Sequence, residues 1–361
     1  MTGCPITEIQ WSAYRVPTDE PESDGTLEWD STTMIVVHAR GADEIGMGFG
    51  YASQAAGNVI GSILSESVRG ISALDIPAAW EAMVHGVRNQ GRLGITAAAV
   101  SAVDLALWDL KGKIIGRSVA ELLGSTRHSV EVYGSGGFTS YSDDRLVDQL
   151  TGWSGQGVTK VKMKIGRGRG VERVAVARSA LHDSVEIYVD ANGAYRRKQA
   201  LAVAYELAPL GVTWFEEPVD HRDLEGLRQL RERGPAGMDM TVGEYGYDLT
   251  QLQNLLTAPA VDVLMADCTR CGGITGWLRA AAAAQAHHVP ISSHTAPSAH
   301  VAAGCAAPNA MHLEYFHDHA RIENMLLDGA PAIENGALTP DRSRPGLGYA
   351  LKESDAKKFR L

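Results

Sequence analysis

Eight short strand-like segments, which begin near residue 130, constrain the fold of this chain more than any other feature. Amphipathic segments of helix length, such as VERVAVARSALHD, separate most of them. Strands that alternate with helices predict parallel β/α units, and eight strands over about 185 residues predict closure into a (β/α) barrel. The segments are VEVYG (130–134), KVKMKIG (160–166), VEIYVDAN (185–192), VTWFEEP (212–218), MDMTVGE (238–244), VDVLMAD (261–267), VPISSH (289–294) and AMHLEY (310–315).

The alternative fold is an open doubly wound sheet, which predicts an early Gly-x-Gly-x-x-Gly turn. That turn is absent, and GRGRG (166–170) is interpreted as a loop between a strand and a helix. The N-terminal part has a different pattern. Residues 31–52 alternate in polarity around a Gly-Ala-Asp turn, which predicts a hairpin, and residues 95–116 have the apolar spacing of a helix that ends at Gly116.

The composition narrows the function classes. The chain has 361 residues, of which 45% are hydrophobic, and a net charge of -10, which argues against a nucleic-acid partner. No apolar run of membrane-spanning length is present, and the N-terminus has no signal-peptide pattern, so a cytoplasmic location is expected. Four cysteines form no disulfide framework, and the C-x-x-C pair Cys268 and Cys271 is interpreted as incidental.

Ionisable residues end seven of the eight predicted strands, although the body of each strand is apolar. A single polar residue at a strand end is ordinarily a solvated one, but seven in succession predict a site. Barrel enzymes place their chemistry at this end of the strands. The residues, in chain order, are Lys164, Asp190, Glu216, Glu244, Asp267, His294 and Glu314.

Three of these residues are carboxylates on successive strands. Neighbouring strands lie about 4.8 Å apart, so Asp190, Glu216 and Glu244 should converge and repel one another unless a cation neutralises them. All-oxygen ligands favour Mg²⁺ first and Mn²⁺ second. Glu217 should point to the other side of its strand and is interpreted as structural.

Basic groups flank these carboxylates on both sides. Lys162 and Lys164 alternate with apolar residues, so both should point inward, and Lys162 should depress the pKa of Lys164 by like-charge proximity. On the other flank, Asp267 should orient His294 and raise its basicity, which would make it a general base. A hydrogen-bonded core histidine and a surface lysine pair are the structural alternatives.

These motifs resemble those of the enolase superfamily, specifically its mandelate racemase-like subgroup, over nearly the whole chain. VKMKIG is similar to the family's Lys-x-Lys motif, and YVDANGAY, WFEEP and VGE resemble its three metal strands. DCTRCGGITGW with PISSH resembles its Asp–His dyad, and HLEY supplies the glutamate after the dyad. The resemblance implies a modified (β/α)7β TIM barrel (126–329) under an α+β capping domain, which residues 1–125 form with the returning segment 330–361.

The resemblance also implies a shared first step, in which a Mg²⁺-bound carboxylate substrate loses its α-proton and becomes an enediolate. Lys164 would serve one face of the carbon and His294 the other, while Glu314 would hydrogen-bond the substrate, held protonated for that purpose. Dehydration of an acid sugar to a 2-keto-3-deoxy acid is the favoured outcome. A racemase or epimerase of a 2-hydroxy acid is the alternative; a cycloisomerase and a non-catalytic protein are less expected.

Polar residues in the predicted loops are candidates for contacts with a small-molecule carboxylate. His317 and His319 form a His-x-His pair, for which a pocket or lid role is favoured over a separate metal site. Residues 17–30 form an acidic segment where the family has a mobile lid, and the family implies a homo-oligomer, from dimer to octamer. The candidate substrate contacts are Gln54, Thr139, Asn192, Arg270, His317 and His319.

Overall fold

The N-terminal region is built on a three-stranded antiparallel sheet. In a computed structural model, which describes residues 3–361, the sheet comprises β1 (Glu8–Ser23), β2 (Glu28–Gly41) and β3 (Glu44–Tyr51). Ala42 and Asp43 join β2 to β3 with φ of 50° and 64°, the left-handed conformation that matches the twist of a tight hairpin. The hairpin predicted at the Gly-Ala-Asp turn is therefore confirmed.

The acidic segment 17–30 is a β-hairpin, with strand at 17–23 and 28–30 and a turn at 24–27, rather than the loop expected from the sequence; its role as a mobile lid stays a prediction. β1 continues to Ser23 and pairs with β2 as far as Ser23 opposite Glu28, with a register shift between Pro17 and Glu22. We call residues 17–31 the hairpin arm. Continued strand pairing extends the arm beyond the rest of the sheet, and its tip lies against the barrel.

One long helix covers this sheet. It spans Ile95–Ile115 and ends at Gly116, which has a left-handed φ of 69°, as predicted. Its alanine-rich face packs on β2 and β3, and Gly48 of β3 lies directly under its backbone. The helices of this region are α1 (Ala55–Val59), which runs into a π-helical turn (Ile60–Leu64), α2 (Ser65–Val68), α3 (Ile76–Gly86), α4 (Ile95–Ile115) and α5 (Val119–Leu123).

Eight parallel strands form the second unit, and the first seven pair successively in chain order. The last strand pairs with the first, and Met311 N donates to Ile291 O (2.8 Å) to close the remaining gap. The predicted barrel is confirmed. Its strands are β4 (Val130–Gly136), β5 (Lys160–Lys164), β6 (Glu186–Asp190), β7 (Val212–Glu216), β8 (Asp239–Val242), β9 (Val263–Ala266), β10 (Ile291–Ser293) and β11 (Leu313–Phe316).

Helices alternate with these strands and form the outer layer, and GRGRG lies in the loop between β5 and the helix that starts at Gly170, as predicted. Cys268 and Cys271 are buried free thiols. The helices are α6 (Asp143–Ser154), α7 (Gly170–Ala180), α8 (Arg197–Leu207), α9 (Leu224–Arg233), α10 (Leu249–Thr257), α11 (Gly273–Ala286), α12 (Pro297–Ala306) and α13 (His317–Leu326), with a 3₁₀ turn at Ala208–Leu210.

The C-terminal segment returns to the first sheet, where Leu361 N donates to Ala13 O (2.9 Å). The domain bounds 1–125, 126–329 and 330–361 stay a prediction. Within residues 3–361, no helix is both long enough and apolar enough to cross a membrane. The remaining short elements are β12 (Leu327–Asp328), β13 (Ala337–Leu338), β14 (Ala350–Leu351), α14 (Glu353–Ala356) and a 3₁₀ turn at Lys357–Phe359.

We predict that Gly48→Ala destabilises the protein. A Cβ at this position would lie 2.2 Å from Ala102 O and 2.3 Å from Ala106 N of α4, so the helix would have to move. We expect a loss of about 1–3 kcal/mol in the free energy of unfolding, as for other overpacked cores. Gly152→Ala, in the exposed face of α6 with open space around it, is the matched control. Equal melting temperatures for the two variants would contradict this packing.

Candidate active site

The strand register brings the predicted carboxylates to one level at the barrel mouth. Lys164, Asp190 and Glu216 lie directly opposite one another on β5, β6 and β7. Glu244 follows β8 by two residues, and carboxylate oxygens of Asp190, Glu216 and Glu244 all lie within 4.8 Å of one another. All three side chains are buried. We refer to them as the carboxylate triad.

Lys162 and Lys164 point into the barrel, while Val161 and Met163, which alternate with them, are part of the hydrophobic core. Lys162 Nζ lies 2.8 Å from Glu216 and 2.7 Å from Glu314, and Lys164 Nζ lies 2.5 Å from Asp190. The lysines are therefore buried counter-charges of the acidic groups.

The expected depression of the Lys164 pKa is wrong for this arrangement. Burial lowers the pKa and so does the charge of Lys162, but the adjacent Asp190 outweighs both and holds the Lys164 pKa above its ordinary value. The expectation took account only of Lys162, which alternation along β5 places beside Lys164. The closer charged group is the carboxylate of Asp190, which lies on the next strand.

His294 lies between two carboxylates. Its Nδ1 is 2.8 Å from Asp267 Oδ2 and its Nε2 is 3.0 Å from Glu244 Oε2. Burial favours the neutral ring, but Glu244 and Asp267 outweigh burial and raise the pKa of His294 to about 9. Asp267 is itself fixed, because Thr269 N (2.6 Å) and Thr269 Oγ1 (2.7 Å) donate to its Oδ1.

Glu314 is ionised, contrary to the expectation of a protonated carboxyl group. Burial alone would raise its pKa, but Lys162, His294 and Lys164 lower the pKa to about 2. Ser135 Oγ (2.6 Å) and Thr295 N (2.7 Å) also donate to its carboxylate. The position of Glu314 at a strand end was predicted from the sequence. Its low pKa was not predicted, because the three basic groups around it come from other strands.

Glu217 differs from its predicted position on the outer side of the strand. β7 ends at Glu216, and Glu217 has a φ of 39°, so the alternation of side chains does not continue. Its carboxyl group is buried near Glu244 and Asp190; burial and these charges raise its pKa well above the ordinary value.

A cavity of about 250 Å³ opens beside these groups, slightly below the roughly 300–1,000 Å³ of common ligand pockets, so it suits a small substrate. Three predicted substrate contacts line it: Asn192, Arg270 and His319. Arg270 already bonds Glu244 O (3.1 Å) and lies 3.5 Å from Asp267. The lining residues are Asp24, Leu27, Trp29, Ser31, Thr32, Lys164, Asn192, Glu244, Tyr245, Arg270, His294, Thr295, Phe316 and His319.

The other three predicted substrate contacts lie outside this lining. Gln54 is exposed at the start of α1. Thr139 Oγ1 lies 2.6 Å from Ser23 Oγ in the hairpin arm and donates to Asp24 O (2.7 Å). His317 Nε2 lies 2.9 Å from Asp19 Oδ2 at the base of the arm.

Sequence reasoning missed the apolar part of the cavity wall. Trp29 of the hairpin arm and Phe316 at the end of β11 line it, and both pack edge-on against the buried Phe138. The one signal in the sequence was an isolated tryptophan within an acidic segment, which periodicity alone cannot assign to the cavity.

The charge balance of the site fits a divalent cation. Six carboxyl groups, of which only Glu217 has a pKa raised well above the ordinary value by both burial and neighbouring acids without a direct basic partner, face four basic groups, and all of these side chains except Arg270 are buried. The triad offers oxygen ligands only, the donor set that Mg²⁺ prefers. The carboxyl groups belong to Asp190, Glu216, Glu217, Glu244, Asp267 and Glu314, and the basic groups to Lys162, Lys164, Arg270 and His294.

A closed parallel barrel with a carboxylate triad between a lysine pair and an Asp–His pair defines a class of divalent-metal-dependent barrel enzymes. The chain belongs to the mandelate racemase/muconate lactonizing enzyme family of the enolase superfamily. Residues 21–124 match the family "Mandelate racemase / muconate lactonizing enzyme, N-terminal domain" and residues 145–355 match "Enolase C-terminal domain-like". The family resemblance inferred from the motifs is confirmed.

Three similar proteins have been described. A mandelate racemase/muconate lactonizing enzyme-like protein from Rubrobacter xylanophilus is 50% identical, with a TM-score of 0.97 over 99% of this chain and 100% of that one. L-talarate/galactarate dehydratase from Salmonella typhimurium is 28% identical over 98% of this chain and 90% of its own length. A structure of a mutant L-talarate/galactarate dehydratase, which carries Mg and L-glucarate, is 27% identical and has a TM-score of 0.91 over 100% of this chain and 93% of that one. D-galactarolactone cycloisomerase from Agrobacterium fabrum is 30% identical over 78% of this chain and 79% of its own length.

We predict that Mg²⁺ stabilises the folded protein through the triad. Ligand that binds only the folded state should add about 2.7 kcal/mol at a concentration 100 times its Kd, which differential scanning fluorimetry would record as a rise in Tm. Asp190→Asn should lose most of this rise because one anionic ligand is removed. Glu186→Gln, at the opposite end of β6, is the control and should keep it. An unchanged Mg²⁺ response in Asp190→Asn would exclude the triad as the metal site.

Proposed function

We propose that this protein is a Mg²⁺-dependent acid-sugar dehydratase, which removes the proton α to a carboxylate and gives a 2-keto-3-deoxy acid. One observation supports the proposal above the others. Lys164 contacts Asp190 and His294 contacts Glu244, so two groups capable of proton transfer flank the triad, and both line the same cavity.

Asp190, Glu216 and Glu244 would hold the ion. When bound, Mg²⁺ supplies positive charge that neutralises the triad and stabilises the negative charge which develops on the substrate carboxylate as the α-proton leaves. Lys162, fixed by Glu216 and Glu314, adds a second positive charge beneath that carboxylate. Lys164 would release its proton more readily once the charge of Asp190 is neutralised.

Asp267 positions His294 by accepting from Nδ1, which directs Nε2 toward the triad. In the proposed reaction one of the two groups, Lys164 or His294, takes the α-proton as a base. The other, as an acid, protonates the β-hydroxyl group as the C–O bond breaks, so that water leaves and the resulting enol tautomerises to the ketone.

We call the side of the cavity formed by Asp24, Leu27, Trp29, Phe316 and His319 its outer wall. This wall favours a substrate with a single carboxylate. Trp29, Leu27 and Phe316 are apolar, and Asp24 accepts from the backbone of its own turn. His319 is neutral, because burial and the charge of His294 hold its pKa well below the ordinary value. Residues of this wall therefore offer no free positive charge to a second carboxylate, and aldonic acids fit better than aldaric acids.

A racemase or epimerase of a 2-hydroxy acid is the second candidate. Two groups on opposite flanks also suit removal of a proton from one face and return to the other. The two reactions diverge only after the first proton transfer, so the product distinguishes them.

The test is proton NMR in D₂O with Mg²⁺ on pairs of aldonic and aldaric acids of matched configuration, together with simple 2-hydroxy acids. We expect a 3-deoxy methylene signal with an aldonic acid and at most weak turnover of its aldaric partner. Lys164→Ala and His294→Asn should each lower kcat by about 10²- to 10⁴-fold, the usual contribution of a general acid or base.

Lys160→Ala is the matched control, since Lys160 lies on the same strand but pairs with Glu131 at the other end of the barrel. Its kcat should match the wild type. Loss of the C2 proton signal with an inverted product would favour the racemase. Preference for aldaric acids would overturn the single-carboxylate assignment, and absence of exchange with every acid would overturn the enzyme class.

A further inference from the structure

A second group of potential metal ligands lies where the hairpin arm meets α13, apart from the triad. Asp19 and Glu22 belong to the arm, and His317 is the first residue of α13. Each offers one ligand atom, and these atoms all lie within 4.8 Å of one another. The two segments are far apart in sequence, so only the folded chain brings the three side chains together.

Glu22 is the residue of this group whose surroundings most favour a bound cation. Its side chain is fully buried, and Trp29 Nε1 donates to Oε2 (2.9 Å). Oε1 has no hydrogen-bond partner within residues 3–361, although a buried carboxylate oxygen without a donor is costly.

The surrounding charges are predominantly negative. Glu20 and Asp318 join Asp19 and Glu22 around the group, and two arginines face them. Arg145 pairs with Asp19 (3.4 Å) and Glu20 (3.2 Å). Arg321 donates to Asp318 and to Pro17 O (2.7 Å). The hydrogen bonds of both guanidinium groups go to carboxylates or carbonyls other than Glu22, and Arg321 Nε is itself buried without a partner within residues 3–361.

We propose that Asp19, Glu22 and His317 bind a second divalent cation, Zn²⁺ first and Mn²⁺ second. The imidazole nitrogen distinguishes this group from the all-oxygen triad, because a mixed nitrogen and carboxylate donor set suits Zn²⁺ better than Mg²⁺. His317 would bind through Nε2, the atom that now lies 2.9 Å from Asp19.

Such an ion would stabilise the apolar wall of the cavity, although the ion itself would lie outside the cavity. Trp29 bonds to Glu22, and Phe316 precedes His317, so both apolar wall residues are attached to proposed ligands. Binding would link the arm to the barrel and hold Trp29 and Phe316 in place. This role is independent of the reaction proposed above, since none of the three ligands lines the cavity.

The His-x-His pair identified in the sequence is divided between two environments. His319 stacks on Tyr51, with ring centroids 3.4 Å apart, and lines the cavity. His317 faces the arm. A separate metal site was not expected at this pair from the sequence, and the ligands proposed here to join His317 come from the arm instead of from His319.

Equilibrium dialysis against Zn²⁺ in excess Mg²⁺, with metal analysis of the folded protein afterwards, tests the site. We expect Glu22→Gln and His317→Gln each to retain one Zn²⁺ per chain fewer than the wild type. The loss in affinity should exceed the roughly 10- to 100-fold that removal of an outer-sphere partner costs. Glu20→Gln, a neighbouring exposed acid paired with Arg145, is the matched control and should retain the wild-type number.

Glu216→Gln separates this site from the triad, because the Zn²⁺ that Glu22→Gln loses should persist when the triad is impaired. Zn²⁺ should also slow hydrogen exchange of the arm amides in the wild type and in Glu20→Gln, but not in His317→Gln. Equal Zn²⁺ content in wild type and Glu22→Gln, or loss of all Zn²⁺ in Glu216→Gln, would overturn the proposal.

Discussion

The arrangement of the active site depends on charge compensation among buried groups at one level of the barrel. Parallel register places Lys164, Asp190 and Glu216 side by side, so each acid on one strand lies within reach of a base on another. Buried charges of this kind are tolerated only when they are paired or bind a cation. Lys162 and Lys164 hold the acidic side chains in place. Because carboxyl groups still outnumber basic groups, a divalent ion can compensate the remaining negative charge.

The interior below this layer supports the same arrangement. Tyr133, Tyr188 and Trp214 fill the barrel beneath the triad, and Trp214 Nε1 donates to Glu216 Oε2 (3.1 Å). An aromatic floor excludes water, which strengthens the ion pairs above it and raises the cost of leaving any of them unpaired. Burial and neighbouring acids raise the pKa of Glu217 in this layer, whereas nearby basic groups lower the pKa of Glu314.

The sequence was enough to predict which residues lie at the strand ends, but not which contacts these residues make with other strands. Period-2 alternation predicted that Lys162 and Lys164 point inward, and the order of strands predicted the triad. The same alternation failed at Glu217, because the strand ends one residue earlier and the backbone turns. Glu314 was assigned the wrong protonation state, since its pKa depends on Lys162 from a strand that is distant in the sequence.

The hairpin arm escaped prediction for a related reason: its function depends on where its tip docks. Gly25 lies so close to the barrel that a Cβ would be 2.5 Å from Ala191 O and 2.7 Å from Ile165 O. Those two carbonyls belong to the residues directly after Asp190 and Lys164, so the arm touches the barrel beside the reacting groups. The barrel thus supplies charge and proton transfer, while the arm supplies Trp29 and the outer wall. Substitutions in the arm can change the shape of the cavity without breaking the ion pairs of the barrel, because the side chains of residues 17–31 bond to other groups and not to Lys162, Lys164, His294 or the triad.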